Sequence, residues 1–62
     1  MKEIRREYKL GRSKFQLREY EGTYFLDKIT KAYGYCVYHG TEEEMNKYLE
    51  ENGYKFNGII VM

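Results

Sequence analysis

The chain has 62 residues, 34% of them charged and 18% aromatic, with no tryptophan, no proline and a formal net charge of +1. A chain of about 60 residues allows one compact domain, 1–62, and buries only about 60% of its unfolded surface, so its stability margin is thin. A single cysteine, Cys36, excludes an internal disulfide, one cysteine with one histidine excludes a structural zinc site, and no apolar stretch approaches a membrane span.

These features predict a cytoplasmic protein with no membrane partner and no small-molecule cofactor. An unstapled core this small must pack its aromatics well or share its core with a second copy or a partner. The net charge hides an asymmetry. Residues 1–18 hold Lys2, Arg5, Arg6, Lys9, Arg12, Lys14 and Arg18 against Glu3 and Glu7, whereas residues 19–62 hold eight carboxylates against four lysines. Such a split suits a polyanion, an acidic protein surface or head-to-tail self-association, and equally suits two solvated faces.

The first run, Ile4 to Leu10, alternates with period two and predicts a strand with Ile4, Arg6, Tyr8 and Leu10 on one side; a helix over 2–9 is the alternative, since Ile4 and Tyr8 are also four apart. A four-residue loop, Gly11 to Lys14, would pair Leu10 with Phe15, Tyr8 with Leu17, Glu7 with Arg18 and Arg6 with Glu19. Glu21-Gly22 then separates Phe15–Tyr20 from Thr23–Thr30. A two-residue turn there pairs Leu17 with Leu26, Arg18 with Phe25 and Glu19 with Tyr24, whereas a type I turn with a glycine bulge slips the register by one.

Tyr8, Leu10, Phe15, Leu17, Tyr24 and Leu26 thereby share a core side. A fourth run, Ala32 to His39, divides into Tyr33, Tyr35, Val37 and His39 on one side and Gly34, Cys36 and Tyr38 on the other. Thr41 and Glu44 have the spacing of a capping box, Met45, Tyr48 and Leu49 follow at helical spacing, and Gly53 suits a left-handed cap, which predicts a helix over about 42–52. Tyr54 and Phe56 resume alternation, Asn57-Gly58 marks a turn or bulge, and Ile59-Ile60-Val61-Met62 reads as a final core or edge strand. The fold class is α+β: a small antiparallel meander of about four strands with one short helix packed on one face and a C-terminal strand, in the order β-β-β-β-α-β.

Chemistry-bearing motifs are sparse. Cys36 and His39 are the available nucleophile and base, and a spacing of three on a regular strand sends them to opposite faces, leaving Cys36 as a small buried hydrophobe. Ser13 belongs to a turn, the glutamates at 42–44 and 50–51 fan around an exposed helix, and Gly11-Arg12-Ser13-Lys14 lacks the glycine spacing of a phosphate-binding loop. We therefore expect no catalytic residue, no metal ligand and no cofactor.

The side of the sheet away from the core is richer. It gathers Lys14, Gln16, Arg18, Tyr20, Phe25 and Ile29, with Lys9 and Arg5 beside them, a mixture found at protein hot spots and on sheets that bind single-stranded nucleic acid. The expected partner-binding residues are Arg12, Lys14, Arg18, Tyr20 and Phe25: Arg18, Tyr20 and Phe25 as anchors, Arg12 and Lys14 to steer. The partner is a larger protein or a second copy, with nucleic acid on the basic N-terminal hairpin as the alternative.

The strands followed by Gly40-Thr41-Glu42-Glu43-Glu44 and a short helix resemble, over residues 15–52, the arm-type DNA-binding domains of phage integrases and the related plant AP2 domains. That resemblance implies a sheet that enters a DNA groove. This helix lacks their small-residue packing face and the strand spacing differs, so no binding residue is carried over. In its Tyr-, Lys- and Glu-rich composition the chain is similar to many small proteins of bacteriophages and prophages, including anti-CRISPR and other host-takeover inhibitors. This similarity implies a non-enzymatic inhibitor or regulator, placed in the host cytoplasm if a phage encodes it.

Overall fold

Alternation over Ile4–Leu10 forms β1, followed by β2 (Ser13–Tyr20), β3 (Thr23–Ile29), β4 (Gly34–Gly40), α1 (Glu42–Glu51) and β5 (Lys55–Val61) in the computed structural model, which describes residues 4–61. Lys2, Glu3 and Met62, counted in the charge split and the terminal run, lie outside the described residues. All pairings are antiparallel, and the sheet order is β4-β3-β2-β1-β5.

The β2–β3 hairpin has the two-residue register, with Leu17 opposite Leu26, Arg18 opposite Phe25 and Glu19 opposite Tyr24. Its turn holds both central residues at positive φ, Glu21 at 50° and Gly22 at 82°, the primed geometry that matches strand twist. Glutamate is a poor residue for that conformation. The turn is tied back where the Gly22 amide donates to Glu19 Oε2 at 2.9 Å.

The β1–β2 hairpin corrects the sequence reading. Its loop is Gly11-Arg12, not four residues, and the partners are Tyr8 with Phe15, Glu7 with Gln16 and Lys9 with Lys14. Gly11, at φ 62°, turns the chain early and frees Ser13 and Lys14 to pair. The register slips by two, an even number, so every residue keeps its predicted face while losing its predicted partner. Glu7 therefore does not meet Arg18.

β4 is the second correction. It begins at Gly34, after a turn in which the Thr30 amide donates to the Tyr33 carbonyl at 2.9 Å. A bulge at Val37 then makes Leu26 face Tyr38 while Asp27 faces Cys36. Val37 and Tyr38 both pack toward the core, as the doubled residue of a bulge allows. Cys36 and His39, opposite Asp27 and Phe25, share the other face, contrary to strict alternation.

Thr41 caps α1: its side chain accepts from the Glu44 amide at 3.2 Å, and Glu44 Oε1 accepts from the Thr41 amide at 3.0 Å. That backbone donor holds the Glu44 carboxyl below its ordinary value. At the other end Gly53, at φ 73°, donates to the Glu50 carbonyl, and Tyr54 donates to that of Leu49. This paired arrangement terminates a helix and redirects the chain toward β5.

The core lies where α1 meets the sheet. Phe15, Leu17, Leu26, Met45 and Leu49 are buried, with Leu26 at 0% and Met45 at 1% exposure. Tyr8, Tyr24, Val37, Tyr38, Tyr48 and Tyr54 close around them, each fully buried apolar side chain being worth about 2 kcal/mol. Tyr38 stacks on Tyr48 with ring centroids 4.0 Å apart, and Tyr54 meets Phe15 edge-on at 4.9 Å. Burial, and secondarily the neighbouring Tyr48 hydroxyl, push the Tyr54 phenol up to about 12.

The helix is not centred. It packs on β3 and β4, so the outer corner of the β1–β5 half of the same side stays bare. Ile4 and Ile59, at 66% and 64% exposure, flank that corner with Val61. Leu10, expected in the core, is exposed because it sits opposite Ser13 at the last pair of β1–β2, beyond the helix. Asn57-Gly58 forms a bulge inside edge strand β5 rather than a turn before it, with Phe56 opposite Tyr8 and Gly58 opposite Glu7.

Candidate binding face

The side of the sheet opposite α1 carries no covering layer among the described residues, and the cross-strand pairs arrange it in rows. Nearest the β1–β2 turn stand Lys55, Lys9, Lys14, Ile29 and Gly34, taken from β5 to β4. The next row is Gly58, Glu7, Gln16, Asp27 and Cys36. Beyond it lie Arg5 opposite Ile60 and Arg18 opposite Phe25, itself opposite His39, and the last pair is Tyr20 with Thr23.

Polar contacts hold these rows in place. Arg18 Nε donates to Asp27 Oδ2 at 2.7 Å, an ion pair whose carboxylate is mostly withdrawn from water. The same guanidinium lies 4.5 Å from the Phe25 ring centroid. Cation–π contacts of this kind are worth about 0.5–1 kcal/mol at exposed sites. His39 flanks Phe25 on its other neighbour strand, with ring centroids 5.9 Å apart. Arg5 Nη1 donates to Gln16 Oε1 at 3.0 Å, and Asn57 Nδ2 donates to the Glu7 carboxylate. Charge-assisted bonds of this type stiffen side chains that would otherwise sample many rotamers.

Among the five residues singled out from the sequence, Arg18 and Phe25 are in direct contact. Tyr20 is on the same face at the β2–β3 end and is 64% exposed. Lys14 is on that face too, but six residues from Tyr20 along β2, about 20 Å at strand rise. Arg12 is exposed in the β1–β2 turn at the Lys14 end. The set is a line along β2 with a cationic end and an aromatic end, not one patch.

Three participants escaped the sequence reading. Asp27 is diagonal to Arg18 in the register that the sequence already supplied, so it was findable. His39 comes to Phe25 through the Val37 bulge, whose sequence trace is the adjacent apolar pair Val37-Tyr38 within an alternating run. Lys55 joins Lys9 through a pairing between residues far apart in the chain, which leaves no local trace.

Cys36 is exposed on this face, not buried as expected. Its thiol donates to the Tyr38 carbonyl, with Sγ at 3.3 Å. Among the described residues no cluster of three His, Cys, Asp or Glu side chains is placed to hold a metal ion, and no helix is long and apolar enough to cross a membrane. Compared with known proteins, the chain matches no family model, no curated protein and no solved structure.

Proposed function

We propose that this chain is a non-enzymatic binding module that lays the uncovered face of its sheet against a larger protein and blocks it, as the small phage-type inhibitors that its composition resembles would do. The observation that carries this reading is the Arg18–Phe25 pair, fixed by Asp27 and His39 on a face that the helix leaves open. Arginine and tyrosine in ordered, partly desolvated settings dominate binding energy at protein interfaces. Arg18, Phe25 and Tyr20 anchor the contact, while Lys14 and Arg12 steer the encounter. Cys36 bonds to backbone rather than to a base, which also supports a role in contact rather than in catalysis.

Size constrains the partner. Five strands about 4.8 Å apart and about 24 Å long present roughly 550 Å² of projected area. Stable interfaces bury about 800 Å² per partner. With the relief of the side chains included the two are comparable, so a stable complex uses most of the face rather than one end.

The test is affinity capture from lysate of the producing cell or its host, with and without nuclease, using the original chain and a Tyr20→Ala/Phe25→Ala variant. A discrete protein retained by the original in both arms and lost by the folded variant supports the reading. Equal retention by the variant removes it. Sedimentation velocity of the purified chain separates a larger target from a second copy.

A further inference from the structure

The row nearest the β1–β2 turn is electrostatically unfavourable. Lys9 stands directly opposite Lys14 on one side and Lys55 on the other, so three adjacent strands each place a lysine in one line on one face. Strands lie about 4.8 Å apart, so the three stems rise within about 10 Å. Like charges directly opposite destabilise an antiparallel pair. No carboxylate completes the row, which continues as Ile29 and Gly34, and among the described residues none of the three lysines has an ion-pair partner. The carboxylates one row inward are engaged elsewhere, Glu7 by Asn57 and Asp27 by Arg18. Arg12, in the adjoining turn, adds a fourth exposed cation.

We propose that Lys9, Lys14 and Lys55, with Arg12, bind the phosphodiester backbone of a single-stranded nucleic acid. Lysine holds phosphate as a mobile point charge, and exposed Tyr20 on the same face offers a stacking surface that a base can use and an acidic peptide cannot. From the row, the open side of β2 continues as Lys14, Gln16, Arg18 and Tyr20, with no carboxylate on that strand's face. A strand anchored on the lysines can follow this track to stack a base on exposed Tyr20. The glutamates of α1 lie across the sheet, on the helix side, and so do not meet this track. The site shares Arg12 and Lys14 with the residues named for protein docking and adds Lys9 and Lys55, to which that reading assigns no role.

Fluorescence anisotropy with a labelled oligothymidylate of about twenty nucleotides tests the site, across a salt series starting at about 50 mM. The original chain is expected to bind with log K falling linearly in log salt, with a slope of about −3 for four phosphate contacts at about 0.7 each. The Lys9→Gln/Lys14→Gln/Lys55→Gln variant is expected to lose at least about tenfold in affinity at the lowest salt and most of the slope. Relief of like-charge repulsion means that this variant should melt no lower than the original, which separates lost binding from lost fold. If it does unfold, Lys55→Gln on the edge strand is read instead, with a slope reduced by about 0.7. A polyglutamate peptide of equal charge, which has no base to stack on Tyr20, should bind at least about tenfold more weakly than the oligonucleotide. No binding by the original chain, unchanged binding by the lysine variant, or equal affinity for polyglutamate would each overturn the site. The Tyr20→Ala/Phe25→Ala variant should bind more weakly for want of stacking yet keep the salt slope, which counts the cations alone. The lysine variant and the oligonucleotide are separate from the capture experiment, so failure of this site leaves the protein-docking test standing.

Discussion

Leu26 and its neighbour Phe25 point to opposite sides of β3 and meet different surroundings. Leu26 lies at 0% exposure among Phe15, Leu17, Met45 and Leu49. Phe25 has a guanidinium on one flank and an imidazole on the other, at a half-exposed position. The helix side is held by close-packed apolar contact, which is strong, non-directional and costly to hollow out. The open side is held by a few directional polar contacts, which fix geometry while adding little net stability. A protein with so small a core can thus keep one ordered face free for contact, provided the other face carries most of the stability.

Changes on the two sides should differ in size, and the largest loss belongs under the helix. Met45→Ala should cost about 3 kcal/mol in denaturant unfolding, since its side chain is at 1% exposure. Ile59→Ala, at the bare corner of the same side, should stay within about 0.5 kcal/mol. On the open face, Arg18→Ala should cost about 1–3 kcal/mol by stranding the Asp27 carboxylate. Adding Asp27→Ala to it should recover part of that loss, which a double-mutant cycle measures.

Alkaline unfolding should track the helix side. Tyr54 titrates near 12 when folded against an ordinary 10.0. The unfolded chain therefore releases this proton first, and the stability is full below pH 10, then falls as pH rises toward 12. In Tyr54→Phe that part of the pH dependence should disappear from a series of melts. Thr41→Ala should cost about 1 kcal/mol through the lost helix cap. Lys47→Ala, removing an exposed pair at 4.0 Å from Glu51, should change stability by no more than about 0.5 kcal/mol.

The parts of this fold that could be read from the sequence are those written locally. Glu21-Gly22 narrowed the β2–β3 register to two choices, of which the two-residue turn is the one formed, and the Thr41–Glu44 box and Gly53 bracketed the helix. Face assignments for β1 survived a wrong loop length because a slip of two preserves parity. β4 was less legible, since one extra residue at Val37 reversed the relation between Cys36 and His39. Leu10 was assigned to the core on parity alone, and parity does not say how far a ten-residue helix reaches. Arg18–Phe25 was legible because it is a direct cross-strand pair in a hairpin. The lysine row was not, because half of it depends on β5 returning to the far edge of the sheet.

The most direct test of one structural side and one open side is denaturant unfolding of Leu26→Ala beside Phe25→Ala, adjacent positions on one strand. Leu26→Ala should lose about 3 kcal/mol or unfold outright, and Phe25→Ala should lose about 1 kcal/mol or less. Equal losses, or a larger one at Phe25, would contradict that division by placing a second core on the face proposed for binding.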